Sequence, residues 1–157
     1  MRTLRITGAT LLDDGFSLDL GPPEGTVHWN VSKIWRAVRK GVFGFPHRYP
    51  IEVAGANDWE SGNLERSRVD WIKEHPRVLE LPAIAIEKDE LQLLCFCDGN
   101  HRIAARVELG LPDFRAWVVP CGVEKDYRAK FEWVTENGQF IEDAAPMDIL
   151  PSARNRG

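Results

Sequence analysis

A mixed α/β (α+β) fold, a small mixed sheet with helices packed on it, is what this 157-residue sequence predicts. Three observations carry that expectation. Short apolar or alternating runs at 81–86, 91–97 and 114–119 have the period of strands. Apolar residues at 31–42, 64–75 and 103–109 recur at helical spacing. Glycine and proline breaks, such as Gly110 and Pro112, separate the two patterns. The length suits one domain, read here as residues 1–142 with a C-terminal tail over 143–157.

Taken in order, residues 1–29 read as short strands and turns. Leu4 and Ile6 alternate with polar neighbours. Asp13, Asp14 and Gly15 mark a turn, Phe16, Leu18 and Leu20 alternate, and Gly21, Pro22 and Pro23 break the run. Asn30 or Ser32 can cap a helix carrying Val31, Ile34, Trp35, Val38 and Val42, with Gly41 as its stop. Pro46 and Pro50 make 44–50 a loop, 51–54 reads as a short strand, and 55–62 is polar and loop-like. Residues 64–75 read as a helix capped by Asn63 and stopped by Pro76, with Leu64, Arg68, Trp71, Ile72 and His75 near one face. Strands at 81–86 and 91–97 flank the polar turn Lys88-Asp89-Glu90, which predicts a hairpin. A short helix over 103–109 ends at Gly110, a favoured left-handed position, and 114–119 returns as a strand. The spacing of Tyr127, Phe131 and Val134 predicts a last helix over 125–137.

Composition excludes some classes of function. The net charge of −4 argues against a protein that coats nucleic acid or an anionic membrane with its whole surface. No apolar run reaches the roughly 20 residues that span a bilayer, so no membrane partner is expected. The alternating start, Met1 to Ile6, lacks the apolar core of a signal peptide. Three cysteines, Cys95, Cys97 and Cys121, predict reduced thiols and a cytoplasmic location. Their spacing does not suit zinc, and no metal ligands are assigned. Six tryptophans suit core packing, with Trp59, between Asp58 and Glu60, as a candidate for stacking on a base.

The chemistry-bearing stretch is Asp98-Gly99-Asn100-His101-Arg102, between the apolar run and the helix. Unpaired N–H groups and the positive end of a helix dipole favour an anion there. Gly99 lets the backbone turn sharply, and Asp98 and Asn100 can brace the loop. Arg102 offers a planar fork for phosphate oxygens. His101 can donate to a phosphate or act as an acid or base. His101 and Asp98 are the candidate catalytic residues, and His101 and Arg102 the side chains suited to phosphate. The plain alternative is a capped helix whose arginine pairs with a carboxylate.

Residues 81–119, with DGNHRIAARVELGLPDFRAWVV in their second half, resemble the core of the ParB/sulfiredoxin superfamily. Hairpin, D-G-x-H-R loop, Ala-rich helix, Leu-Gly-Leu stop and strand occur in order over about a quarter of the chain. The resemblance implies a nucleotide bound through its phosphates at Gly99, Asn100, His101 and Arg102, as ATP or CTP with Mg²⁺, and a phosphotransferase or nucleotide hydrolase activity. Asn100 stands where sulfiredoxin has its nucleophilic cysteine, and an amide cannot supply a thiolate. Asn100 and His101 also depart from the G-E-R-R of the partition proteins, which argues against their CTP hydrolysis. The D-G-x-H-R form is closest to serine-kinase-like and ParB-like nuclease branches.

Two further sets stand apart from that loop. Lys33, Arg36, Arg39 and Lys40, with His47 and Arg48 beyond, form a basic stretch interleaved with Phe43, Phe45 and Tyr49. It is a candidate DNA- or RNA-binding surface, or simply a solvated helix face. Glu52, Asp58, Glu60 and Glu65 are candidate carboxylates for phosphoryl transfer. A non-catalytic module acting through protein contacts is the remaining reading.

Overall fold

The structure, a computed structural model, describes residues 1–56, 64–88, 94–145 and 149. Its architecture is mixed α+β. The chain divides into two compact units, Met1–Arg39 with Lys125–Gly157, and Lys40–Glu124.

The first unit is built on an antiparallel sheet of five strands: β1 (Arg2–Thr7), β2 (Gly15–Asp19), β3 (Thr26–Asn30), β8 (Arg128–Thr135) and β9 (Phe140–Asp143). The long strand β8 organises it. β1 pairs along one side, from Arg2 opposite Thr135 to Thr7 opposite Lys130. On the other side lie β3, at Ala129 and Arg128, and β9, from Glu132 to Val134. Phe131 is buried with Ala129 and Ala144 against Leu4, Ile6 and Trp133. His28, also buried, meets the Phe131 ring edge-on at 5.9 Å and holds Ser17 Oγ at 2.8 Å through Nδ1.

The expected helix over 125–137 is therefore a strand preceded by a 3₁₀ turn at Val123–Tyr127. Tyr127, Phe131 and Val134 fit helical spacing. The segment also carries the strand period, with Ala129, Phe131 and Trp133 alternating with Arg128, Lys130 and Glu132. Pairing on both sides decides between the two. The expected tail also begins later, because Asp143 closes β9 and Ala144 is buried, its N–H donating to Phe131 O at 2.7 Å.

Helix α1 (Val31–Arg39) follows β3 directly. Asn30 is its cap: Oδ1 accepts from Lys33 N at 2.9 Å, while Nδ2 donates to Asp13 Oδ2 at 2.9 Å and Gly8 O at 3.1 Å. Val31, Ile34, Ala37 and Val38 turn inward. Asn30 is buried, so Asn30→Ala removes a cap and two further bonds where water does not replace them. The expected loss is about 2 kcal/mol of stability, read from urea unfolding. A loss below about 0.5 kcal/mol would show that the amide does not anchor this corner.

The second unit carries a four-stranded mixed sheet in the order β4 (His47–Pro50), β7 (Asp113–Val119), β5 (Ala83–Glu87), β6 (Leu94–Asp98). β5 and β6 form the expected antiparallel hairpin. Helix α4 (Asn100–Glu108) then carries the chain to β7, which lies parallel to β5 on its other side. Ile103 of α4 packs with Ala83, Ala85, Phe96, Phe114 and Ala116 on one face of the sheet. Ala104 and Ala105, on the other side of the helix, pack with Val69, Ile72 and Leu79 of α2 (Arg66–Lys73) and α3 (Pro76–Leu79). The small alanines let α4 lie between sheet and helices.

Four sequence expectations change here. Residues 47–50 are a strand, not a loop; as the edge of the sheet β4 tolerates Pro50, whose missing N–H is not needed there. Ile51–Ala56 is a 3₁₀ turn, not a strand, with Ile51 N bonded to Pro112 O at 2.9 Å and Ile51, Val53 and Ala54 on the apolar cluster. The helix over 64–75 is shorter, and Pro76 begins α3 rather than merely stopping α2, because its missing N–H is harmless at a first helical position. Helix α4 starts at Asn100, so the polar residues 100–102 are its first turn. Residues 57–63, 89–93, 146–148 and 150–157 lie outside the described set. With them go the expectations placed on Asp58, Trp59, Glu60, Asn63, Asp89, Glu90 and most of the tail. No helix among the described residues is long and apolar enough to cross a membrane.

Candidate functional site

The end of β6 and the start of α4 meet at Gly99, the helix N-cap, with φ 96° and ψ 9°. An added Cβ there would stand 2.7 Å from Ala83 Cβ and 2.9 Å from Ala83 Cα. The position demands glycine twice, for its left-handed backbone and for its close approach to β5. This contact sets the first turn of α4 against the first residue of β5.

The side chains of that turn are partly engaged in the fold. Asn100 Nδ2 donates back to Phe96 O at 3.0 Å, tying the helix start to β6. His101 Nε2 accepts the backbone N–H of Glu65, the N-cap of α2, at 3.1 Å. That bond needs a neutral ring with its proton on Nδ1. Partial burial, reinforced by the nearby positive charge of Arg68, holds the imidazole below its ordinary pKa, and Glu65 opposes the shift. His101 thus sits as an acceptor between α4 and α2 rather than as a charged donor. Asp98 ends β6 and acts electrostatically on both His101 and Arg102.

Arg102 is different. Its Nη2 donates to Pro82 O at 3.0 Å, but Nε is buried and has no hydrogen-bond partner among the described residues. Burial lowers the pKa of the guanidinium, and the Asp98 carboxylate only partly offsets this. A buried cationic donor without an acceptor is costly and uncommon. Arg102 also lines a cleft of about 10 Å³, room for roughly one water, beside Ile103, Arg106 and Phe114.

The other expected residues lie elsewhere. Lys33, Arg36 and Arg39 are exposed on α1 in the first unit, whereas Lys40 belongs to the second. Two of them have local duties. Lys33 Nζ donates to Asp126 O at 2.7 Å and sits 5.4 Å from the Tyr127 ring centre, and Arg36 pairs with Asp13 at 3.4 Å. Glu52 is exposed on the 3₁₀ turn, and Glu65 contributes its N–H to His101. Cys95 and Cys97 are buried on β6, where burial pushes the Cys95 thiol up to about 11 and the Cys97 thiol well above its ordinary value, so both stay protonated. Among the described residues no group of three or more His, Cys, Asp or Glu side chains could hold a metal ion.

Arg106 and Arg115, to which the sequence assigns no role, and Arg48, which it places in the basic stretch, line the same cleft as Arg102. The available signal was an arginine inside an apolar pattern: Arg115 between Phe114 and Ala116, and Arg106 after Ala104 and Ala105. Compared with protein-family models, curated proteins and solved structures, the chain matches none.

Proposed function

We propose that this chain binds a nucleotide through its phosphates at the start of α4, as its resemblance to the ParB/sulfiredoxin superfamily implies. The observation that supports the reading is the Arg102 guanidinium, whose buried Nε has no hydrogen-bond partner among the described residues. A phosphate oxygen supplies one and neutralises the charge as well. Gly99, with no Cβ, lets Ala83 and the Arg102 guanidinium close on the turn, and the first N–H groups of a helix have no partners within the helix. The donor set suits ATP or CTP. Mg²⁺ bound with such a ligand takes most of its oxygens from phosphate and water, and Asp98 is the carboxylate next to the turn that would complete its shell. The ion would neutralise charge on the phosphates.

A thermal-shift screen over ATP, ADP, CTP, GTP and pyrophosphate with Mg²⁺ tests the reading, because a ligand of the native state raises Tm. Arg102→Ala and the milder Arg102→Lys are expected to weaken the best ligand at least about tenfold by calorimetry, the effect of one or two lost charge-assisted bonds. Unchanged affinity in both variants, or no ligand at all, would overturn it.

A further inference from the structure

The cleft beside Arg102 contains more positive charge than the fold requires. Arg48 on β4 and Arg115 on β7 are direct partners in the antiparallel register. Directly opposed residues project from the same side of a sheet, and like charges in that relation are destabilising. Arg48 Nη1 donates to Asp113 Oδ1 at 2.8 Å, and Arg115 Nη2 to Glu80 O at 2.9 Å.

Arg106 lies behind them and is buried. It donates through Nε to Asp113 O at 2.6 Å, through Nη1 to Glu80 Oε1 at 3.3 Å, and through Nη2 to Asp113 Oδ1 at 3.4 Å. Asp113 Oδ1 is therefore shared by Arg48 and Arg106. Four guanidinium groups, with Arg106 the most buried, meet the carboxylates of Glu80 and Asp113, and Asp98 acts on Arg102. One positive charge is left over against a wall formed by Ala83, Ile103 and Phe114. An apolar wall strengthens the pull on an anion. The side chain of Arg48 is 63% exposed, so its fork can turn to an incoming group at little cost.

We propose that Arg48 and Arg115 form a second phosphate subsite across the cleft from Arg102, so that the chain selects a ligand carrying two linked phosphate groups over one carrying a single phosphate. This rests on the phosphate reading of Arg102 and extends it to two strands that the turn itself does not touch. The cleft holds only about one water, so the ligand lies across its mouth and is recognised by phosphate oxygens rather than by a nucleoside inserted between the strands. A diphosphate could come from a nucleotide or from inorganic pyrophosphate, and both present the same oxygens.

Calorimetry on the full chain with inorganic phosphate, pyrophosphate and ADP, each with Mg²⁺, tests this. Pyrophosphate is expected to bind at least about tenfold more tightly than phosphate, and Arg48→Gln and Arg115→Gln are each expected to erase most of that difference while leaving phosphate affinity unchanged. Thermal melts check that the variants fold, and Arg48→Lys, which keeps the charge, is expected to recover part of the loss. ADP binding well above pyrophosphate identifies a nucleotide as the source, and equal affinities identify the diphosphate group alone; either outcome supports the subsite when the dependence on Arg48 and Arg115 holds. If both glutamine variants fold and bind pyrophosphate as well as the parent while Arg102→Lys weakens it, the second subsite is wrong and the phosphate reading stands. If the parent binds neither phosphate, pyrophosphate nor ADP at millimolar concentration, both are wrong.

Discussion

Gly99→Ala is expected to remove about 3 kcal/mol of stability, the largest effect of any one-carbon change at the candidate site. Two costs combine. A residue with a Cβ held at φ 96° loses about 1–2 kcal/mol to left-handed strain. The new methyl also sits 2.7 Å from Ala83 Cβ and 2.9 Å from Ala83 Cα, well inside contact distance, and such overpacking costs about 1–3 kcal/mol. The Ala83 Cα is backbone in β5 and cannot rotate away, so relief requires the start of α4 to move off the sheet. In a domain of this size Tm falls by roughly 6–12 °C, and any ligand held at the turn weakens with it. Urea unfolding and a thermal scan measure the loss; a change under about 1 kcal/mol would show that α4 and β5 do not depend on this contact.

Arg106→Ala is expected to cost a similar amount, about 3 kcal/mol, for a different reason. Arg106 is buried, and its fork joins the carbonyls of Leu79 and Asp113 to the side chains of Glu80 and Asp113. It thereby fastens the end of α3 and the start of β7 to α4. The carboxylates themselves reach solvent, Glu80 more than Asp113, so their loss of a partner matters less than that of the two carbonyls, each worth about 1 kcal/mol. Truncating a buried chain of this length supplies the rest. Arg106→Lys keeps the charge but not the planar fork, and is expected to recover less than half of the loss. If the lysine variant is as stable as the parent, charge alone holds this junction and the multi-point geometry is incidental.

The parts legible in the sequence are those whose partners are close along the chain. The β5–β6 hairpin, Gly99, α4 and Gly110 follow one another within 28 residues, and each has a local signal: alternation, a turn glycine, alanines, a left-handed stop. Strand β8 had no such advantage. Its aromatic and β-branched residues satisfy two periods, and what decides between them is pairing with β1, more than a hundred residues away. The same holds for the candidate site. Gly99 and Arg102 are visible because they flank the strand-to-helix turn. Arg48, Arg106 and Arg115 come from β4, α4 and β7, and only the sheet order places them around one cleft. His101 was recognised as important but for another purpose, since its acceptor role depends on where the start of α2 lies.

The pairing of β1 with β8 also has a consequence for the order in which the chain can fold. Residues 2–7 find their sheet neighbours only at residues 130–135, whereas β4, β5, β6 and β7 all lie within Lys40–Glu124. On the ribosome the inner segment has every strand it needs before β8 is made. The first strand of the chain is then among the last to be hydrogen-bonded, and until that moment its edge stays open to other chains.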